Sequence, residues 1–261
     1  MNVAHRPLVI DKSYAHKVSA ARLAALSKDY LILIPSAFFY EVAKTELSKR
    51  WKATKSFPEF DMLHLPTLLR KETSSGKPLV EIGYTAHHFD DSFIDGSRYF
   101  SETENAAFTD YETDHLAERI KFFREVVHTG VIGYSGADMR KVVQATLEEF
   151  TAVCRRLRDE DQIRKMCETI KLPISQPLDK HWLHYRYIQG LAIYGLALIR
   201  SYHGQIEMLT DELLKDEIHD LEYLVLGLHV GNLATDESEL KYQKMGWKFR
   251  VLAPDRILIK Y

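Results

Sequence analysis

The sequence predicts an α/β protein in which helices flank a parallel sheet. Short apolar segments alternate with segments of helical spacing at the beginning of the chain, over residues 1–51, and again at its end, over 209–261. Strands that alternate with helices are typical of a parallel sheet whose faces are covered by helices. The residues between these two parts predict a loop-rich segment followed mainly by helix, without internal repeats.

The first fifty residues follow the order β-α-β-α. Residues 8–10 and 30–35 are almost entirely apolar and predict buried strands. Helical spacing of Ala, Leu and aromatic residues follows each of them, over 14–28 and over 37–51. Ser13 is the expected N-cap of the first of these helices, because serine oxygens accept hydrogen bonds from the free N–H groups of a first turn.

The middle of the chain divides into two unlike parts. Prolines and glycines interrupt every apolar period over 51–108, which predicts a loop-rich segment with at most a strand within 77–100. Residues 109–170 predict two helices, over 111–130 and 135–170, and a further helix with many aromatic and aliphatic residues is expected over 177–204.

The C-terminal part resumes the alternation of strands and helices. A long helix is predicted over 209–231, and a break near Ile218 is left open. The elements expected after it are a strand ending in acidic residues, a helix and two strands, over 232–238, 239–247, 248–254 and 256–261. The two ends of the chain therefore predict strands of one sheet.

The composition is that of an ordinary water-soluble domain. Of the 261 residues, 46% are hydrophobic and 28% are charged, and the formal net charge of −2 gives no overall basic field for nucleic acid, although a local basic groove stays open. The two cysteines, Cys154 and Cys167, have no metal-type spacing. No apolar run is long enough to span a bilayer, and the first residues do not resemble a signal peptide. We therefore expect a cytoplasmic protein without membrane attachment.

Four acidic residues lie close to the predicted strands. Asp11 ends the first strand, and Glu41 lies in the helix that follows the second. Asp220 opens the apolar run "DLEYLVLGLHV", and Asp236 follows "NLAT". Asp11 has two interpretations: a cap of the next helix, or a ligand beyond the carboxyl end of a strand, where open α/β sheets bind ligands. Carboxylates gathered at one sheet edge repel one another unless a cation lies between them, and hard oxygen ligands suit Mg²⁺ or Mn²⁺.

The segments around these acids resemble the four acidic motifs of PIN-domain nucleases. They are "LVIDKSYAH", "PSAFFYEVAKT", "HDLEYLVLGL" and "NLATDESELKYQKMGWKFRVLAP". The separation of Asp11 from Glu41 and that of Asp220 from Asp236 are similar to those of bacterial PIN toxins, whereas the middle separation is much longer. The resemblance thus implies a discontinuous PIN-like core, 1–52 with 205–261, and a loop-rich then helical insertion over 53–204.

A PIN-like core implies a Mg²⁺- or Mn²⁺-dependent endoribonuclease that hydrolyses phosphodiester bonds of RNA, or less often of DNA. The resemblance makes Asp11, Glu41, Asp220 and Asp236 the catalytic metal ligands. The accessory residues that it implies are Thr235, Ser13 and Glu217, with Asp216 an alternative to Glu217 and Glu237 a weaker candidate. The alternative function is a catalytically inactive PIN-like scaffold that binds RNA or a protein. The family also implies an inhibitory protein partner, and the insertion could instead serve substrate selection, self-restraint or homo-oligomerisation.

A basic segment follows the Glu41 helix directly. It is "KRWKATK" (49–55), with the expected nucleic-acid-binding residues Lys49, Arg50, Trp51 and Lys52. Cations beside an aromatic ring can follow a phosphate backbone and stack on a base. The other interpretation, equally supported, is a solvated helix end whose cations complement the helix dipole.

Overall fold

Five parallel strands form one sheet at the centre of the protein. The computed structural model describes residues 6–43, 60–82, 115–127, 136–170, 178–205 and 208–260. The strands are β1 (Arg6–Ile10), β2 (Tyr30–Pro35), β3 (Phe60–Leu63), β4 (Asn232–Ala234) and β5 (Ile257–Ile259), and their order across the sheet is β3-β2-β1-β4-β5. All four pairings are parallel. The predicted α/β fold with a parallel sheet flanked by helices is confirmed.

Helices surround this sheet and fill the long segment between β3 and β4. In chain order they are α1 (Lys12–Lys17), α2 (Ala20–Leu26), α3 (Ser36–Ala43), α4 (Leu65–Ser75), α5 (Leu79–Ile82), α6 (115–127), α7 (Gly136–Gln144), α8 (Leu147–Arg155), α9 (Glu160–Thr169), α10 (Leu183–Ser201), α11 (Asp211–Val230) and α12 (Met245–Leu252). In the described segments, no helix is both long and apolar enough to cross a lipid bilayer.

The burial of the central strand β1 shows that the sheet is covered on both faces. Its last three residues, Leu8, Val9 and Ile10, are fully buried. A strand that is covered on both faces carries a continuous apolar run, because neither face meets water. Val9 lies opposite Leu33 of β2 on one side and Leu233 of β4 on the other. The strand order therefore reverses at β1, which leaves a crevice beyond the ends of β1 and β4.

Helices α10 and α11 pack against each other. A Cβ atom added at Gly190 of α10 would lie 2.7 Å from Leu221 Cδ1 and 2.8 Å from Val225 Cγ2, so a larger residue there would have to displace these two side chains. Almost every residue of α10 is buried, although the sequence placed this helix in the insertion. Sheet and helices share one hydrophobic core.

Two fully buried carboxylates join distant segments to this core. Glu222 of α11 accepts hydrogen bonds from the hydroxyl of Ser36 (2.8 Å) and the N–H of Ala37 (3.1 Å), and it pairs with Arg119 of α6 at 3.1 Å. Glu72 of α4 accepts hydrogen bonds at the beginning of α10, where Trp182, the N-cap residue, offers no side-chain cap. Both carboxylates satisfy N–H groups at a helix start that lack intrahelical acceptors.

Several predicted helices are divided by caps. The helix expected over 14–28 is two helices, because Ser19 accepts a hydrogen bond from the N–H of Arg22 and starts α2. The N-cap of α1 is Asp11, and not Ser13 as expected. Within 136–170, Thr146 and Asp159 start new helices where a single helical run was expected. By contrast, α11 is continuous through Ile218.

The loop-rich prediction for 51–108 is wrong for residues 60–82, the part of that segment that the structure describes. The loop-rich segment contains β3, which pairs with β2, and helices α4 and α5, so the sheet extends beyond the boundary at residue 52. Only four residues form β3 and two of them are partly exposed, which removes any clear apolar period.

In the C-terminal prediction, the helix is placed too early and the strand over 248–254 is wrong. Residues 239–244 form turns, and α12 occupies part of the segment predicted as a strand over 248–254. Seven of the eight residues of α12 are buried, so the helix shows no 3.6-residue period that sequence could reveal. The strand expected at 256–261 is present as β5.

Candidate functional site

The crevice beyond β1 and β4 brings the two ends of the chain together. Ile10 lies opposite Ala234 in the sheet, and the N–H of Asp11 donates to the carbonyl of Ala234 at 2.9 Å. Asp11 therefore lies next to Thr235, which is 224 residues away in the sequence. This is the switch point of the sheet, where open α/β folds bind ligands.

Asp11 serves as a helix cap and as the centre of a small polar network. Its side chain accepts hydrogen bonds from the N–H and the hydroxyl of Ser13 at the start of α1. The same carboxylate accepts a hydrogen bond from the Thr235 hydroxyl at 2.8 Å. Burial raises the pKa of Asp11, and the hydrogen bonds from Ser13 and Thr235 oppose that rise. The two interpretations of Asp11 are thus compatible, because the cap directs its carboxylate to the crevice.

Asp236 lies at the same edge, but its carboxylate is engaged elsewhere. Its N–H donates to Ser13 Oγ at 3.2 Å, which ties the segment after β4 to α1. The carboxylate itself forms an ion pair with Lys17, whose side chain is largely exposed. Ser13 and Thr235 therefore connect the ends of β1 and β4, whereas the Asp236 carboxylate is paired with a lysine of α1.

Glu41 lies on α3 with a partner on α11. Its Oε2 accepts a hydrogen bond from the Tyr223 hydroxyl at 2.8 Å, and its Oε1 is 3.7 Å from Lys12 Nζ. Burial raises the pKa of Glu41; the Lys12 ammonium opposes this rise, and the charge of Asp11 adds to it. Glu41 and Asp11 are therefore close enough to repel each other.

Among the four predicted metal ligands, Asp220 is the one whose carboxylate has no hydrogen-bond or ion-pair partner in the described residues. Burial, followed by the charges of Asp11, Glu237 and Glu217, raises the pKa of Asp220 well above its ordinary value. An ionised Asp220 is therefore disfavoured both by burial and by the like charges around it.

Glu217 and Glu237 border Asp220 and already have cationic partners. Glu237 accepts hydrogen bonds from the N–H of Met245 and from Lys244 Nζ, both at 2.8 Å, and so caps α12. Glu217 Oε2 is 3.8 Å from Lys248 Nζ, whereas Asp216, the alternative to Glu217, is exposed. Burial raises the pKa of Glu217, and Lys248 opposes this rise.

Two buried residues of the crevice were missed by sequence reasoning. Tyr194 of α10 is fully buried, its hydroxyl has no hydrogen-bond partner among the described residues, and its pKa is raised well above the usual value by burial and by the nearby charges of Asp220 and Glu217. Lys248 of α12 is 1% exposed. Both lie in segments that are otherwise apolar, so no local pattern indicates them.

The fit of this cluster to a metal ion depends on its donors. Among the described side chains, no three His, Cys, Asp or Glu residues are arranged to hold a metal ion. Asp11, Glu41 and Asp236 are engaged with protein partners. The unpaired carboxylate of Asp220 is a hard oxygen donor on which the charge of Asp11 acts, and such donors suit Mg²⁺ or Mn²⁺. The residue types therefore fit a divalent cation.

The predicted nucleic-acid-binding residues Lys49, Arg50, Trp51 and Lys52 lie outside the described residues. Comparison with protein-family models, with curated proteins and with solved structures found no match to this chain.

Gly246 controls the approach of α12 to this crevice. A Cβ atom added there would lie 2.4 Å from the carbonyl oxygen of Glu237, closer than any van der Waals contact. We expect Gly246→Ala to displace the backbone at Glu237 and to lower the free energy of unfolding by roughly 1–3 kcal/mol, as overpacking does. Urea denaturation measures this change. Unchanged stability would show that the Glu237 backbone moves without cost.

Proposed function

We propose that this protein is a Mg²⁺- or Mn²⁺-dependent ribonuclease that hydrolyses phosphodiester bonds of RNA at the crevice beyond β1 and β4. The observation that carries the proposal is the unpaired carboxylate of Asp220 among Asp11, Glu217 and Glu237. Such a concentration of negative charge is unfavourable for the fold and favourable for a bound cation. It lies at the sheet edge where ligands of open α/β folds bind.

Asp11 and Asp220 would hold the ion, and Glu41 and Asp236 could join them by giving up Tyr223 and Lys17. Ser13 and Thr235 orient the Asp11 carboxylate for this role through their hydrogen bonds. A divalent cation bound there would lower the pKa of a water molecule and offset the charge that develops on the phosphate oxygens.

The lysines at the crevice support a phosphate-containing substrate. Lys12 and Lys17 now pair with Glu41 and Asp236, and the Lys17 side chain is 56% exposed. Once those carboxylates bind an ion, both ammonium groups are available for phosphate oxygens. RNA as the polymer, and an inhibitory protein or a second copy of the chain as partner, follow from the resemblance to PIN-domain nucleases. Two free, buried thiols, Cys154 and Cys167, are compatible with the proposed cytoplasmic location.

The test is cleavage of end-labelled single-stranded RNA, and of DNA of the same sequence, by the purified full chain. We expect cleavage of the RNA with Mn²⁺ or Mg²⁺, loss of cleavage with EDTA, and recovery when excess Mn²⁺ is added. Cleavage that persists in EDTA would contradict the proposal, because a reaction that depends on a bound divalent cation stops when the cation is removed.

The second candidate function is a PIN-like scaffold that binds RNA or a protein without cleaving RNA. It is favoured by the engagement of Asp11, Glu41 and Asp236 with protein partners. RNA that binds but is not cleaved at any Mn²⁺ concentration would support this alternative.

A further inference from the structure

Four of the six named acids at the crevice each form an ion pair with a different lysine. The pairs are Glu41 with Lys12, Asp236 with Lys17, Glu237 with Lys244, and Glu217 with Lys248. The two central carboxylates, Asp11 and Asp220, form no ion pair within the described residues. When all six carboxylates are ionised, as they would be around a bound cation, the named groups carry two unbalanced negative charges, which equals the charge of one divalent cation. Asp216, which also acts on Glu41, is exposed, so solvent screens its charge.

Lys248 differs from the other three lysines because it is enclosed. The side chains of Lys12, Lys17 and Lys244 are 24%, 56% and 48% exposed, whereas that of Lys248 is 1% exposed. Its ammonium lies 3.7 Å from the centroid of the Tyr194 ring and donates a hydrogen bond to the carbonyl of Gln243. An aromatic face and a carbonyl oxygen both stabilise a cation.

The positive charge of this ammonium offsets the negative charge of nearby carboxylates, a role that a second metal ion would otherwise fill. The ammonium lies 3.8 Å from Glu217 Oε2, and its charge interacts with Asp220 and Glu237. In two-metal nuclease sites, the two ions lie roughly 3.5–4 Å apart and share carboxylate ligands. Of the three carboxylates whose charges act on Asp220, that of Asp11 has no lysine partner, whereas Glu237 and Glu217 are paired with Lys244 and Lys248.

We infer that the crevice takes a single divalent cation, because the buried ammonium of Lys248 supplies the positive charge that a second cation would bring to Asp220, Glu217 and Glu237. The inference rests on the proposed metal site. It assigns Lys248 as a positioning residue, which acts on the metal through Asp220 and Glu217.

The test is the number of Mn²⁺ ions bound per chain, measured on the full chain by isothermal titration calorimetry and by elemental analysis after gel filtration. We expect one ion for the wild type. Lys248→Met removes the charge and keeps most of the volume, so we expect two ions, the first bound at least about tenfold more tightly than in the wild type. Lys248→Arg keeps the cation and should bind one.

Two controls separate charge from structure. Lys248→Met combined with Glu217→Gln restores the charge balance and should return to one ion. Lys244→Met removes an exposed ammonium, which solvent already screens, and should change the affinity for Mn²⁺ less than Lys248→Met does. Should Lys248→Met fold only with metal, its bound Mn²⁺ is counted after refolding in Mn²⁺.

The outcomes distinguish this inference from the proposed function. Two ions in the wild type overturn the inference whatever the variants do, and leave the proposed metal site intact. One ion in Lys248→Met, even if it is more tightly bound, also overturns the inference, since Lys248 would then tune affinity alone. No ion in the wild type would contradict the proposed function itself.

Discussion

Asp220→Asn should abolish metal-dependent RNA cleavage and at the same time stabilise the metal-free protein. Asparagine keeps the shape of the side chain but removes the charge that would hold the cation, so we expect a loss on the order of a thousandfold in cleavage rate. The metal-free variant should melt roughly 2–4 °C higher than the wild type, the shift that about 1 kcal/mol gives in a chain of this length. This gain has a direct cause, because burial disfavours the charge of Asp220, and that charge also repels those of Asp11, Glu237 and Glu217.

The pKa of Asp220 predicts how pH changes the difference in stability between the wild type and Asp220→Asn. The pKa of Asp220 is raised in the folded state, so its ionised form destabilises the fold. That destabilisation is complete above the folded pKa and disappears as the pH falls towards the ordinary value of the carboxyl. The difference in melting temperature between wild type and Asp220→Asn should therefore narrow on acidification. Mn²⁺ should raise the melting temperature of the wild type and have a smaller effect on the variant.

Asp216→Asn is the matched control, since Asp216 lies on the same helix, one turn away, and is exposed. It should change neither cleavage nor melting temperature by a large amount. Asp11→Asn gives a less clear result, because Asp11 also caps α1 and accepts a hydrogen bond from Thr235. Full cleavage activity in Asp220→Asn, or a lower melting temperature of its metal-free form, would contradict the metal-site interpretation.

Replacing Glu72 should cost more stability than any surface substitution. Its Oε1 accepts hydrogen bonds from the N–H groups of Leu79 (3.0 Å) and Leu183 (2.8 Å), and its Oε2 from the N–H (3.0 Å) and ring Nδ1 (2.8 Å) of His184. Glu72→Met fills a similar volume but leaves buried N–H groups at the starts of α5 and α10 without acceptors. We expect a loss of roughly 3–5 kcal/mol in the free energy of unfolding.

The measurement is urea denaturation monitored by circular dichroism, with two comparison variants. Glu72→Gln keeps one carbonyl oxygen and should lose less stability than Glu72→Met. Glu168→Met alters an exposed residue of α9 and should be nearly neutral. If Glu72→Met proved as stable as the wild type, the N–H groups at the start of α10 would have to find acceptors elsewhere.

Glu72 also predicts sensitivity to acid. Burial alone would raise the pKa of Glu72, but the hydrogen bonds from the His184 ring and the three backbone N–H groups outweigh it and lower the pKa. The ionised carboxylate therefore stabilises the fold above its ordinary pKa of 4.5, and this contribution is lost as the pH falls through the lower value of the folded state. Wild type and Glu72→Gln should converge in stability below pH 4.5.

The sequence predicts four of the five strands, but it does not predict β3 or the position of α12. The strands at 8–10, 30–35 and 232–234 could be predicted because buried parallel strands are continuously apolar and are followed by acids and caps. Helix α12 could not, because a helix that is buried on nearly every side shows no period. Strand β3 is too short and too exposed to be distinguished from a loop.

The residues of the candidate site also divide into those that the sequence predicts and those that it does not. Asp11 and Thr235 could be predicted together, because parallel strands end at a common edge and their separation along the chain does not matter there. Tyr194 and Lys248 depend on how α10 and α12 pack around α11, and that packing is a tertiary property that no local pattern encodes.

The position of β1 between β2 and β4 has a consequence for synthesis of the chain. Its pairing with β2 forms early and joins residues about 24 positions apart, whereas its pairing with β4 joins Ile10 to Ala234. A nascent chain on the ribosome therefore carries an unpaired β1 edge, apolar over residues 8–10, until residues near 236 have left the exit tunnel. Contacts at such long separation form slowly, and the exposed edge invites chaperone binding or aggregation. The same delay keeps Asp11 apart from Asp220 and Thr235 during translation, so the proposed metal-binding crevice forms only after residues near 236 have emerged.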